Sequence, residues 1–397
     1  MHPTVSGRDL ETWAGYMLNH SLGGIAPDDV VMIKGEPVTW PLIAALQDKV
    51  IAAGAVADIY LVAPDNDRGR VWGAAMARLG TPEQIARVPA WHRQRYEAMT
   101  KYIEILGAER PELYAHLSAE AASAIVKADE PFKNIRLAKQ WLLTLFPTQG
   151  FAELEGLTLE EYTRVIVRAS TTDPQMLEAV EDEIHRIMSR TRRMRIVTAC
   201  PKTGRSLELD LSIAGQRIVK CVGKRNFPDG EVFTSPAANS VEGEIYLDLP
   251  VLYSGATIRG IYLRLEGGII CEYSADEGLD VLRGIIETDD GSRRLGEVAL
   301  GMNNGLERAL KHPLFVEKVG GTLHIAIGNS YKESYVDDPD SPEGKARLEE
   351  LRRQGAYNTS AQHVDIVADF RPGGAGRVVW LDDVQLALRD NIWVVPR

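Results

Sequence analysis

The sequence predicts an α/β N-terminal domain built on a mainly parallel sheet, followed by a mixed, β-rich α+β C-terminal domain. A strand, helix, strand run over residues 30–62 with short connections carries the first half of this expectation. From Met194 onward the texture changes to short alternating segments punctuated by Gly, Asp, Pro and Ser, which carries the second. The 397 residues, 45% hydrophobic and 25% charged, exceed what one compact core holds and suit about two domains.

Leu10, Trp13, Ala14 and Met17 recur at helical spacing behind a capping Ser6, and Gly23-Gly24 ends that helix. Residues 30–33 read as a buried strand. Leu42, Ile43, Leu46, Val50 and Ile51 mark a helix closed by Gly54, and 59–62 is a second strand, which makes a βαβ unit. The charged, Ala-rich stretch from Thr81 to about Leu145 reads mostly as helix, with 121–127 as a further strand. Pro147 to Gly150 break the pattern. Leu159, Tyr162, Val165 and Ile166, then Met176, Ala179, Val180 and Ile184, mark two helices that read as a bridge between domains. The boundary falls near residue 188, giving an N-terminal domain over 1–188 and a C-terminal domain over 189–397. Strands are expected at 194–198, 207–211, 245–249, 258–265 and 269–273.

Net charge excludes several function classes. Lys plus Arg number 45 against 56 Asp plus Glu, and the balance of -11 disfavours nucleic acid and anionic membrane surfaces. Three cysteines, none in a CxxC pair, do not make a disulfide framework and fit a reducing, cytoplasmic compartment. The N-terminus lacks the basic start and apolar run of a signal peptide, and no stretch approaches the roughly 18 apolar residues of a membrane span.

His363-Val364-Asp365 is the most informative tripeptide. In a strand its two polar side chains project to one face, as two ligands of one metal ion would. The same spacing also suits a surface pair, or a histidine oriented by its neighbour. His324 sits inside the apolar run 322–328, where it is either a ligand or a hydrogen-bonded core imidazole. Glu297 interrupts the apolar Leu295, Val298, Ala299 and Leu300, and Glu231 opens a second short apolar run. These positions form a set suited to two divalent ions sharing one carboxylate, although spacing alone leaves their convergence open.

The order Gly230-Glu231-Val232-Phe233-Thr234, Arg294-Leu295-Gly296-Glu297-Val298-Ala299, His324-Ile325-Ala326-Ile327-Gly328 with Tyr331, then Asn358, Ser360 and His363-x-Asp365 resembles the aminopeptidase T family of dimetal aminopeptidases. Val241-Glu242-Gly243 and Leu263-Arg264-Leu265-Glu266-Gly267-Gly268 add to the likeness, which covers nearly the whole chain and is strongest from about Gly150 onward. The resemblance implies that Glu231, Glu297, His324, His363 and Asp365 hold two divalent ions, Zn, Co or Mn. It also places Tyr331 beside them. In such a hydrolase Glu297 or Glu231 moves a proton from the activated water to the leaving amine, and Tyr331 donates to the oxyanion. It further implies a homodimer that encloses a cavity for short peptides or small amides.

Two departures stand out. The stretch Glu317-Lys318-Val319-Gly320-Gly321-Thr322-Leu323 differs from the family's usual acidic, Asn-containing lead into the histidine. The polar run over 336–353 is longer than expected, and reads as a solvated loop with one short helix or as a lid. An alternative function follows from His324, His363 and Asp365 alone, the triad of a mononuclear non-haem Fe(II) centre such as that of the dihydroxypyridine ring-cleaving dioxygenases. Retention of Glu231 and Glu297 favours hydrolysis. A third reading is a metal-stabilised binding protein. Gly35-Glu36-Pro37 reads as a turn, with no GxGxxG or P-loop in the chain, and His2, His20, His92, His116, His185 and His312 carry no assignment.

Overall fold

Four strands, β1 (Val30–Gly35), β2 (Val56–Leu61), β3 (Lys101–Leu106) and β4 (Gln140–Leu145), form a fully parallel sheet in the order β2-β1-β3-β4. The helix Trp40–Ala52 makes the crossover from β1 to β2 and buries Leu42, Ile43, Leu46 and Val50, the apolar stripe that the sequence displays. The computed structural model describes residues 5–62, 72–110, 119–253, 256–371 and 376–396. His2 and His116 lie outside them.

Two differences from the sequence reading fall in this region. Residues 121–127 are not a strand but part of the helix Ala119–Leu137, in keeping with their alanine content. Strands β3 and β4 lie within the stretch read as mostly helical. Charge disguises β3: Glu104 is buried, yet it accepts from Arg136 at 2.8 Å and from Tyr102 at 3.0 Å, so a carboxylate stands where a strand would normally show an apolar side chain.

An open parallel sheet binds ligands beyond the strand ends where its order reverses, here between β1 and β3. Thr39 fills that crevice. It belongs to the turn Pro37–Thr39, and its hydroxyl donates to the Glu36 carbonyl at 2.7 Å. A Cβ added at Gly35 would lie 2.4 Å from Thr39 Oγ1, and one at Gly107 would lie 2.2 Å from Thr39 Cγ2. Both glycines are therefore packing glycines around a plugged switch point. His92 is a core imidazole, packed on Phe132 with ring centroids 4.6 Å apart, and burial pulls its pKa down to about 4.

The chain divides into two compact units: Met1–Pro174 with Gly223–Pro228, and Gln175–Val222 with Asp229–Arg397. The helix Pro174–Met188 belongs almost wholly to the second unit, because its Leu177, Ile184 and Met188 join that unit's core. The strands of the second unit are β5 (Arg193–Ala199), β6 (Ser206–Ser212), β7 (Val219–Cys221), β8 (Glu231–Thr234), β9 (Glu242–Leu247), β10 (Val251–Tyr253), β11 (Ala256–Ile258), β12 (Ile261–Glu266), β13 (Ile269–Ser274), β14 (Leu295–Gly301), β15 (Thr322–Gly328), β16 (His363–Asp369), β17 (Val378–Leu381) and β18 (Val384–Gln385). Twelve of them build a seven-stranded antiparallel sheet, β13-β12-β9-β6-β5-β17-β18, and a five-stranded antiparallel sheet, β16-β15-β14-β8-β7; β10 and β11 pair only with each other, and two further strands, Ala387–Arg389 and Ile392–Val394, form another antiparallel pair. Ile196, Leu209, Ile245 and Leu263 from the first meet Val298, Leu300, Ile325 and Ile366 from the second in one core. Each such side chain, fully buried, contributes roughly 1.5–3 kcal/mol. The 336–353 segment forms the helix Pro342–Arg353, which buries Leu348 and Leu351 against Tyr335 and Tyr357.

Glu181 is a fully buried charge-bearing residue on the helix Pro174–Met188, and among the described residues neither of its oxygens has a hydrogen-bond partner. Burial first, then the nearby carboxylates Asp229 and Glu231, push its pKa from 4.5 up to about 10. Folding therefore takes up a proton here, and the stability tied to that proton is lost as pH rises from about 4.5 towards 10. In chelator-treated protein, Glu181→Gln is expected to raise stability at pH 8 by on the order of a few kcal/mol, with the gain vanishing near pH 4. Urea unfolding at the two pH values checks this.

Candidate metal centre

The five-stranded sheet turns one face to the core and the other to a polar cluster. Along β14, Val298 and Leu300 enter the core while Glu297 alternates to the opposite face. Along β15, Leu323, Ile325 and Ile327 enter it while His324 does not. Val364 and Ile366 of β16 and Val232 of β8 repeat the pattern, so His363, Asp365 and Glu231 share the face of Glu297 and His324. All five residues singled out from the sequence as ligands thus lie on one sheet face. Strand register keeps that face open. Glu231 is opposite Gly301, His324 opposite Ala299, Glu297 and Asp365 both opposite Ala326, and His363 opposite Gly328. A small residue beside every polar one leaves room for an ion between the side chains.

Glu297 is the centre of the cluster. Its Oε1 lies 3.3 Å from His324 Nε2, and its Oε2 lies 3.2 Å from His363 Nε2. His324 Nε2 is also 3.5 Å from Glu231 Oε2, and His363 Nε2 is 3.4 Å from Asp365 Oδ1. Donor atoms of Glu231, Glu297 and His324 fall within 4.8 Å of one another, as do those of Glu297, His363 and Asp365. Glu297 belongs to both groups.

The donor set fits divalent cations by its chemistry and its unmet hydrogen bonds. Among the described residues, Glu231 Oε2, Asp365 Oδ1 and His324 Nδ1 are buried without a hydrogen-bond partner. His363 Nδ1 donates to the Asn329 carbonyl at 2.8 Å, which fixes the ring and aims Nε2 at the cluster, as outer partners do for metal-binding histidines. Without an ion the charges compensate one another. Burial alone would lower both imidazole pKa values, but Glu297, Glu231 and Asp365 push His324 up to about 9, and Asp365 and Glu297 push His363 up to about 11. Burial raises the Asp365 and Glu297 carboxyls, and the same histidines outweigh it and hold both below the usual range.

Tyr331 borders the cluster. Its ring meets His363 edge-on at 4.8 Å and Phe233 at 5.1 Å, its N–H donates to Ser235 Oγ at 2.9 Å, and 40% of the residue is exposed. Desolvation, then Glu297 and Asp365, hold its hydroxyl above the ordinary range, so it remains a donor at neutral pH. Asn358 acts on the backbone: its Nδ2 donates to the carbonyls of Gly328 at 2.6 Å and Gly291 at 2.8 Å, tying down the end of β15.

Two residues of the cluster were noted in the sequence only as part of a stretch that departs from the family pattern, and not as site residues. Glu317 joins His324 and Asp365 in a third group of potential ligands, its carboxyl raised well above the usual range by burial and then, against the pull of Lys318, by Asp365 and Glu231. Lys318 is buried, bonds Glu231 Oε1, and lies 2.9 Å from Glu317 Oε1 and 3.3 Å from Asp229 Oδ1. The signal was present as an adjacent acid and base ahead of an apolar strand.

A bulge between Leu295 and Glu297 aims the central carboxylate, and Gly296 sits in it. A Cβ there would lie 2.1 Å from the Asn329 carbonyl oxygen and 2.6 Å from that of Gly328. Because those atoms are backbone, Gly296→Ala is expected to cost about 1–3 kcal/mol and to weaken divalent-ion binding in the same variant. Thermal melts with and without Zn(II) would check both effects.

The profile of the thermophilic metalloprotease (M29) family matches residues 7–371. The chain belongs to this family. Among M29-like relatives, aminopeptidase T of Thermus aquaticus is 39% identical over 144 residues, 35% of this chain and 33% of that protein. Aminopeptidase PepS of Streptococcus thermophilus is 25% identical over 394 residues, 90% of this chain and 91% of that one. The match to aminopeptidase T thus spans about a third of its length. Among solved structures, wild-type AmpT from Thermus thermophilus superposes with a TM-score of 0.73 at 24% identity, covering 98% of this chain and 99% of that one. The 2,5-dihydroxypyridine dioxygenase of Pseudomonas putida KT2440 gives 0.54 at 15% identity, over 99% of each chain. At these identities the two structures share the fold of this M29 chain.

Proposed function

We propose that the chain is a metal-dependent aminopeptidase in which Glu231, Glu297, His324, His363 and Asp365 would hold two divalent ions, Glu297 contributing to both sites. The observation that carries this reading is the pair of Glu297 oxygens, each facing a different histidine at 3.2–3.3 Å. Glu231 and His324 complete one site, His363 and Asp365 the other. Divalent ions, if held by these residues, would supply polarisation of a scissile carbonyl and a water of lowered pKa. Carboxylate and imidazole donors suit Zn, Co or Mn.

The chain's own groups supply the rest. Glu231, with one oxygen committed to Lys318, and Glu297, with its two oxygens facing His324 and His363, are the two candidates for the proton transfer to the leaving amine. Tyr331, protonated and at the rim, donates to the oxygen that gains charge as the carbonyl becomes tetrahedral. The carboxylates of Asp365 and Glu297 suit a free α-ammonium group, which gives a reason for acting at peptide N-termini. The substrate class proposed is a short peptide or small amide. A homodimer and a cytoplasmic location rest on the family resemblance and the cysteine content, and no described helix is long and apolar enough to cross a membrane.

An aminoacyl p-nitroanilide series tests the reading. Release from Leu- and Ala-anilides, with none from their N-acetyl forms, is the expected result. Equal release from acetylated substrates would contradict the aminopeptidase assignment. Oxygen uptake with a dihydroxypyridine and no anilide release would favour a single Fe(II) on His324, His363 and Asp365.

A further inference from the structure

The two ends of the cluster differ in one respect that the ligand set alone does not show. At the Glu231 end an ammonium is built in. The Lys318 side chain is 3% exposed, and its Nζ touches Glu231, Glu317 and Asp229 at once. Glu231 therefore offers an incoming ion only Oε2, the atom 3.5 Å from His324. At the Asp365 end, among the described residues, no lysine or arginine lies within ion-pair distance of Asp365 or Glu297, so Lys318 reaches this end only through Glu317, and the imidazole of His363 is already aimed by Asn329.

We infer that Lys318 is a positioning residue that makes the two ion sites unequal, holding Glu231 to one oxygen and leaving the Glu297, His363 and Asp365 site to fill first. This inference rests on the two-ion reading proposed above. Two physical effects act in the same direction. A carboxylate whose charge is already paired attracts a cation less, and a fixed positive charge beside the site repels a divalent one in a buried setting where screening is weak. Lys318 also substitutes for a cation when the ion at its end is absent. It keeps Glu231, Glu317 and Asp229 from facing one another without a counter-charge, so the sheet edge stays ordered with only one ion bound. The chain would accordingly carry one retained ion and one exchangeable ion, the exchangeable one between Glu231 and His324.

Titration of the chelator-treated 397-residue chain with Co(II), followed by calorimetry and by the visible absorption of the bound ion, tests this. The expected result is two steps whose dissociation constants differ by about tenfold or more. In Lys318→Met, which keeps the length of the side chain and removes its charge, the weaker step tightens by about tenfold and the tighter one holds its value. Because that variant leaves three carboxylates without their ammonium, it is purified in Co(II) and stripped by chelator just before titration, and the metal-induced rise in Tm is compared as a second readout. A larger rise in the variant than in the native chain is expected. A single class of equal sites in the native protein, or a shift of both steps together in Lys318→Met, would overturn the role given to Lys318 while leaving the two-ion centre intact. Binding unaffected by combined His363→Ala and Asp365→Ala substitution would instead overturn the centre itself, and this inference with it.

Discussion

Glu297→Gln is expected to lower turnover by about a thousandfold or more, equivalent to roughly 4 kcal/mol of barrier, and to leave the fold in place. The substitution keeps the shape of a side chain that is buried at the middle of β14 and flanked by core residues Val298 and Leu300. It removes the one carboxylate that, among the described residues, lies within ion-pair distance of both histidines. An amide has one oxygen to offer, so whichever way it turns, one of His324 and His363 faces an NH2 group instead of an acceptor. The proposed ion on that side would lose its Glu297 ligand, and a candidate proton carrier would be lost with it. Metal content and anilide turnover should fall in parallel while the circular dichroism spectrum stays native. A variant that retains activity would remove Glu297 from the centre.

The second large effect is on pH. In the ion-free protein His324 and His363 hold protons up to about 9 and about 11, and a divalent ion needs their lone pairs. Binding therefore expels protons, and affinity should climb by about tenfold per pH unit for each proton displaced. Chelator competition at pH 6.5, 7.5 and 8.5 would show a steep rise, and a flat profile would contradict it. Stability of the ion-free chain runs the other way. A histidine whose folded pKa is raised contributes fully below its unfolded value of 6.5, and the contribution is lost as pH rises through about 9 and 11. Chelated protein should thus weaken from pH 6.5 upward while loaded protein gains.

Much of this was legible in the sequence because two periodicities are simple. The βαβ unit shows in Leu42, Ile43, Leu46 and Val50 between two apolar runs. In His363-x-Asp365 the strand period of two places both side chains on one face. What spacing cannot give is register. That Glu231, 66 residues before Glu297, faces the same cluster depends on the pairing of β8 with β14, with Gly301 opposite Glu231. Strand β3 stayed hidden because Arg136, 32 residues away, compensates its buried Glu104. Lys318 and Glu317, noted in the sequence as a departure from the family, were not placed in the site because they stand outside any strand, in the turn before β15, where a charged pair ordinarily meets solvent.

The claim on which the rest depends is that Glu297 bridges two ions. Crystals grown with Co(II) or Zn(II), measured on either side of the metal absorption edge, test it most directly. The account requires two anomalous peaks per chain, one on each side of the Glu297 carboxylate and about 3.5–4 Å apart. A single peak on His324, His363 and Asp365 with Glu297 uncoordinated, or peaks away from this sheet face, would contradict it.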